Sequence, residues 1–314
     1  MKPLRRPPSR RHARGAALLI AMSLLVLVTT LAAGMVYQQH RAIQVEAAER
    51  ARTQSAWILN GALDWARLIL REDARSGGPT ALSEPWATPL AEARLSTFLA
   101  TDKDNNSDSG PDAFLSGAII DLQSRYNLRN LIDGNKILEP ELLTLQRLCE
   151  AAGAPTDTAP RIAEGLRLAW AGGDTQSVPL APRTVAQLQW LGIDPGVLDR
   201  LQNFVVLLPV RTTVNLNTAD PEVIAAVSAG LDAGAAQALV QTRQRGAYRT
   251  VDIAKKQAPL LDPKNVGVTS NYFEVRGKLR LDDRALEERS IVERHGLDIV
   301  TILRERVASV VADR

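Results

Sequence analysis

One cysteine, Cys149, stands in 314 residues, so no disulfide can form within the chain. A chain of this length buries enough apolar surface for roughly two domains, and it needs no such staple. Cys149 falls on a helical pattern with Leu145, Leu148 and Ala152, the setting of a small buried hydrophobe rather than a nucleophile. Histidine is scarce too. His12, His40 and His295 lie too far apart to nominate a general base with partners. A glycine-rich phosphate loop is lacking, and acidic pairs such as Asp282–Asp283 sit at turn signals, where solvated residues are expected. These absences predict a protein that is not an enzyme.

Charge of one sign is missing from the beginning of the chain. Residues 1–15 hold Lys2, Arg5, Arg6, Arg10, Arg11 and Arg14 and no acid. Subtracting those six charges from the formal net charge of +3 leaves −3 for everything after Gly15. The basic pI of 9.2 therefore belongs to the leader, and the slightly acidic body has no electrostatic footprint for nucleic acid.

After the arginines comes a charge-free apolar run, within RRHARGAALLIAMSLLVLV (10–28) and on to Gln39. As a helix, Ala16–Gln39 could span the ~30 Å of membrane hydrocarbon, with the arginines holding its start on the cytoplasmic side. A removable secretory signal, cut near Leu31–Ala32–Ala33, is the ordinary alternative. Two features oppose it. The run exceeds the usual 7–15 residues of a signal's apolar core, and residues 35–72 continue at helical spacing with no proline and only Gly61. SGGP (76–79) ends the pattern, so one helix of roughly 55 residues, half in lipid and half amphipathic, is expected.

Beyond it, the pattern predicts a short helix near Leu90–Ala100, a polar loop at 101–112, and a strand opening GAIIDLQSRYNLRNLID (117–133). Residues 139–260 read as short helices separated by turns. No one of them is long enough to stand alone, so they must share a core. Within them, VNLNTADPEVIAAVSAGLDAG (214–234) places Thr218 to cap a helix near Asp220–Pro221. Gly230 and Gly234 bracket a hairpin into a second helix that stops at Gly246. This segment resembles a helix-hairpin-helix module, which in many proteins grips DNA phosphate. Here 211–262 carries six basic and five acidic residues, and Asp232 stands where a phosphate would approach, so nucleic acid is not the expected partner. From 266 onwards the period changes to two. Phe273, Val275, Leu279 and Leu281, then ALEERSIVERHG and LDIVTILRERV, read as strands of one antiparallel sheet that includes the strand near 117–123. The predicted fold is α+β: a pilin-like long N-terminal helix packed on a small antiparallel sheet, with an inserted all-α domain containing the helix-hairpin-helix (SAM-like) module.

A basic leader ending in glycine before an apolar helix resembles the type IV pilin and pseudopilin class. The resemblance implies cleavage between Gly15 and Ala16 by a prepilin peptidase, methylation of the new N-terminus, and retention of the helix in the bacterial inner membrane. Most members carry Glu as the fifth mature residue; here that position is Ile20. The Glu pairs with a neighbour's terminal amine inside an apolar bundle, where an unpaired carboxylate is costly. A subunit lacking it cannot pair with a subunit ahead, which places it at the tip. The Asp121–Asn130 segment, VNLNTA, YRTVDI and SNYFEVRGKLR resemble the minor pseudopilin K family of the type II secretion system, over nearly the whole chain from Gly15 to about Arg306. The implied role is a tip subunit of the periplasmic pseudopilus, assembled with minor pseudopilins I and J and touching the secretion channel or cargo.

The expected organisation is a leader (1–15), a transmembrane part (16–39), a first pseudopilin part (40–130), a helical insertion (131–262) and C-terminal strands (263–314). An acidic region tied to calcium in some family members corresponds to 165–184. Here Trp170 survives but the carboxylates dwindle to Asp174, too few for the six to eight oxygens calcium takes. Asp102, Asp104, Asn106 and Asp108 alternate as in a calcium loop, without its glycine or its final glutamate, so a solvated loop is the favoured reading and calcium the lesser one. Two rivals to the tip subunit are an envelope-tethered DNA-binding protein and a minor pilin of a type IV pilus.

Overall fold

The computed structural model describes residues 13–95, 113–171, 179–281 and 284–310. The chain divides into two compact units, Met1–Ile58 and Leu59–Arg314.

The first unit is helical throughout its described part. It belongs to α1 (Ala13–Ser76), which is long and apolar enough to cross a membrane, with a mean hydropathy of 2.5 in its most apolar window. Leu18, Ile20, Leu25 and Val28 are all exposed. The polar groups of this stretch are satisfied internally. Ser23, Thr29 and Thr30 donate their hydroxyls to the carbonyls of Leu19, Leu25 and Val26 at 2.8–2.9 Å, which removes the cost of taking them into hydrocarbon.

In the second unit, α1 continues with Leu59, Leu63, Ala66 and Leu70 on one buried face, at spacings of four, three and four. Gly77 and Gly78 end it, with φ of 64° and 122°, conformations that a side chain disfavours. The chain then makes β1 (Leu90–Arg94) and β2 (Ala113–Asp121). The expected helix near Leu90–Ala100 is thus corrected: Leu90–Arg94 pairs antiparallel with β2, and this tertiary pairing overrides the helix-forming composition of LAEAR. Residues 96–100 lie outside the described ones.

Next comes a helical block, made of β3 (Tyr126–Asn127), β4 (Ile132–Asp133), β5 (Lys136–Ile137), α2 (Glu139–Ala151), α3 (Thr158–Ala171), α4 (Pro195–Leu201), β6 (Val205–Val206), β7 (Val214–Asn215), α5 (Pro221–Val227), α6 (Ala233–Arg245), α7 (Val251–Gln257) and β8 (Val266–Gly267). Val185–Leu191, expected as a helix, is a 3₁₀ turn closed by Gly192 at φ 78°. The short helices share one core, as their lengths require. Leu145, Leu148, Ile162, Leu166, Leu201 and Ile224 are all fully buried in it. Cys149 is buried there as well, and desolvation pushes its thiol up to about 12, which leaves it protonated and inert at neutral pH. β8 pairs with β7 of this block rather than with the large sheet.

The chain then returns as β9 (Tyr272–Leu281), β10 (Arg284–His295) and β11 (Asp298–Val310). The five-stranded sheet has the order β1-β2-β9-β10-β11, every pair antiparallel, so the whole helical block is let in between two neighbouring strands. Leu63, Ala66 and Leu70 pack on Phe273, Val275, Val292 and Ile299, with Trp86 edge-on to Phe273 at 5.3 Å. Replacing Leu70 by Ala empties the centre of this contact. We expect a loss of about 3 kcal/mol, within the ~2–5 kcal/mol range for buried leucines, read by denaturant unfolding followed through tryptophan fluorescence.

Candidate functional site

β2 ends in Asp121, whose carboxylate is fully buried at the place where the sheet, the end of α1 and the helical block meet. Oδ1 accepts the Gln123 backbone N–H at 2.8 Å. Oδ2 accepts the Asn215 side-chain amide at 2.9 Å, the Thr218 hydroxyl at 2.6 Å and the Ser270 hydroxyl at 2.7 Å. Thr218 therefore does not cap α5, as its position suggested. Its hydroxyl is drawn to the buried carboxylate, and Asp220 takes the N-cap position without a side-chain bond.

A second layer extends the joint. Asn215 also donates to the Thr80 carbonyl at 3.0 Å, and the Ser270 N–H donates to the Thr80 hydroxyl at 3.1 Å. Arg294 donates to that same hydroxyl and pairs with Asp73 at 2.7 Å, both side chains largely buried. Gln123 donates to the Thr213 carbonyl and accepts from Asn271 N–H. Burial raises the Asp121 pKa, while the four donors oppose the rise.

The asparagines of the same two motifs act as substitutes for backbone. Asn130 accepts from Thr212 N–H at 3.1 Å and donates to the Thr212 carbonyl at 2.8 Å, copying a ladder pair with its side chain. Asn217 does the same to Tyr248, at 2.8 and 3.0 Å. Asn127 ties Leu208 N–H and the Val210 carbonyl to β3. These groups stitch irregular segments that no helix or sheet satisfies, which buried backbone demands.

The hairpin between α5 and α6 forms as its glycines predict, with Gly230 at φ 84°. One of its backbone donors is already engaged: Asp232 caps α6 by accepting the Ala235 N–H at 2.7 Å. Arg243, one of the basic side chains of the module, is turned inward to the Leu216 and Ala219 carbonyls. Trp170 stacks under the Arg129 guanidinium at 4.4 Å.

Gly15, Ala16 and Ile20 all lie in α1, far in sequence from the joint, and Ile20 is exposed. Asp102, Asp104, Asn106, Asp108 and Asp174 lie outside the described residues. Among the described residues, no cluster of three or more acidic, histidine or cysteine side chains could hold a metal ion. Thr80, Arg294 and Asp73 are members of the joint that sequence reasoning missed, isolated residues in unrelated segments that no spacing signals; Ser270 opens the SNYFEVRGKLR motif, but its role was not legible there.

A helix packed along an antiparallel sheet, with a helical block let in between adjacent strands and pinned by one buried carboxylate, defines a pilin-like protein with an insertion. Residues 214–276 match the model for type II secretion system protein K. The chain is 28% identical over 309 residues to type II secretion system protein K of Pseudomonas aeruginosa, covering 88% of this chain and 87% of that protein. It is 25% identical over 335 residues to the protein K of Pectobacterium carotovorum subsp. carotovorum, covering 94% and 97%. Among solved structures, it superimposes on a chain of the GspK-GspI-GspJ complex of enterotoxigenic Escherichia coli with a TM-score of 0.63, at 19% identity, over 83% of this chain and 99% of that one. The chain is therefore similar to type II secretion system protein K along most of its length.

Replacing Asp121 by Asn tests the joint. An amide can present its oxygen to the Oδ2 donors or to Gln123 N–H, not to both, so one buried donor loses its acceptor at a cost of about 1–3 kcal/mol. The pH dependence has a definite sign. Between 3.8 and the raised folded value, the folded state holds a proton on Asp121 that the unfolded chain has lost. That contribution is complete below 3.8 and lost as pH rises through the folded value. The wild type's margin over Asp121→Asn, measured by urea unfolding across pH, should therefore shrink as pH rises.

Proposed function

We propose that this chain is a minor pseudopilin at the tip of the type II secretion pseudopilus. The observation that carries the reading is the insertion between β2 and β9: it adds a second, separately cored body to a pilin-like helix and sheet, too bulky to repeat along a shaft. Capping needs no repeat. Ile20 supports the same end position, because a subunit with no acid there cannot pair with an amine ahead. The role is structural rather than enzymatic.

Residues 1–15 serve as a leader, removed between Gly15 and Ala16. Ala16–Gln39 then anchors the chain in the inner membrane as a single span, with the bulk of the protein in the periplasm, as the six leader charges dictate. The helical insertion faces away from the shaft, toward the secretion channel or cargo. Calcium, if used, would fall to Asp102, Asp104, Asn106 and Asp108. Minor pseudopilins I and J are the partners, by analogy with the complex in which the structural neighbour was solved.

Co-expression of the full chain with subunits I and J of the same system should yield one complex with one copy of each on detergent extraction and size exclusion. Elution of the chain alone contradicts the reading. Salt-sensitive retention on DNA would favour the tethered DNA-binding rival instead.

A further inference from the structure

The five-stranded sheet treats its two edges differently. An exposed edge invites pairing with another chain, and proteins blunt such edges by shortness, lysine, proline or cover. β1 is five residues long, and its register slips against β2. β11 runs for 13 residues without a lysine or a proline, and among the described residues no strand pairs with its outer edge. A register shift at Ile302 bends the strand. Beyond it, Leu303–Val310 pair one for one with Arg284–Ile291, so the edge stays regular.

The two flanks of this edge differ in chemistry. On the side of α1, Arg71 donates to the Leu297 carbonyl at 3.1 Å, and Arg67 donates to the Thr301 hydroxyl. Arg304 reaches Asn60 at 2.7 Å and shares the Glu288 carboxylate with Arg306. These four guanidinium groups meet two carboxylates, Asp64 and Glu288, which leaves a surplus of two positive charges along the seam. Arg71 makes no ion pair among the described residues. Arg304 and Arg306 are 34% and 40% exposed, so a partner can reach them. The other flank is apolar at its centre. Val300, which alternates with the buried Ile299, is 48% exposed, and Ile302 is 38% exposed, between Asp298 and Glu305.

A strand that extends the ladder presents its side chains alternately to these two flanks. Acids on the α1 side answer the arginines, and apolar residues on the other side cover Val300 and Ile302. A helix laid in the seam would leave the backbone groups of the edge unpaired, and a basic segment would be repelled by the arginines.

We propose that β11 is a docking edge for a strand of another pseudopilus subunit, acidic and apolar at alternate positions, which joins the sheet as its sixth strand. The chemistry of the edge stands by itself; the source of the strand rests on the tip reading above.

The first arm of the test titrates the full chain in lipid nanodiscs with an acetylated, amidated heptapeptide alternating glutamate and valine, and with its lysine–valine counterpart. At low salt the acidic peptide should bind saturably, roughly tenfold more tightly than the basic one, and slow hydrogen exchange at the amides of residues 298–306. Arg71→Glu, checked for an unchanged melting transition, should weaken that binding roughly tenfold, and Arg71→Lys should retain it. Absence of saturable binding, equal binding of the two peptides, or binding that leaves those amides exchanging as before overturns the edge assignment. The second arm follows the same amides in the complex with subunits I and J. They should gain protection, and Arg71→Glu should weaken assembly by roughly tenfold. A complex that forms with those amides still in fast exchange overturns a pseudopilus subunit as the occupant, and so does their protection by a secreted protein alone. A wild-type chain that never joins those subunits contradicts the tip reading and the strand's source together, while the peptide titration still decides the edge.

Discussion

The Asp121 carboxylate is the constraint on which the rest of the architecture turns. An insertion between adjacent strands creates a mechanical problem: the chain leaves the sheet at Asp121 and re-enters at Tyr272, and the exit and entry must stay side by side. Sheet pairing holds the strands themselves, but the irregular backbone at the junction has no ladder to join. A buried acceptor with two oxygens solves this. It collects Gln123 at the exit, Asn215 and Thr218 from within the block, and Ser270 at the re-entry. An isolated carboxylate would be expelled or protonated in such a place; four convergent donors let it remain. The Asp73–Arg294 pair then joins the end of α1 to the same point through Thr80 and Ser270.

This explains why the two most recognisable motifs of the chain are rich in asparagine. Asn127, Asn130, Asn215 and Asn217 each combine a donor and an acceptor on a short stem, the combination needed to close a backbone gap. They are fasteners. Together they tie segments of the insertion to one another, and Asn215 ties it to the sheet, through side-chain bonds where no backbone ladder exists.

Much of the fold was legible in residue periodicity. The long helix, its stop at the glycines after Ser76, the hairpin at Gly230 and the three C-terminal strands all follow from spacing and turn chemistry, because each is decided locally. Leu90–Arg94 was not legible: good helix formers became an edge strand through pairing with β2, a contact no local window contains. The two-residue strands are equally invisible, most of them being made by partners tens of residues away. At the joint, the motif residues were noticed for their pattern, yet their role emerged only when Thr80, Ser270 and Arg294 arrived from distant segments. Thr218 shows the competition plainly, since a local capping geometry lost to a buried carboxylate 97 residues earlier.

On the proposed reading, the chain keeps the apolar segment of α1 and loses the arginine leader. The most direct test is the intact mass and N-terminal sequence of the membrane-extracted chain, co-expressed with a prepilin peptidase. The prediction is a methylated chain beginning at Ala16, with processing abolished when Gly15 is replaced. A chain beginning near Ala33 or Gly34 would mean that the helix is a discarded signal. The body would then be free in the periplasm, and neither Ile20 nor a pseudopilus tip could have a part in its function.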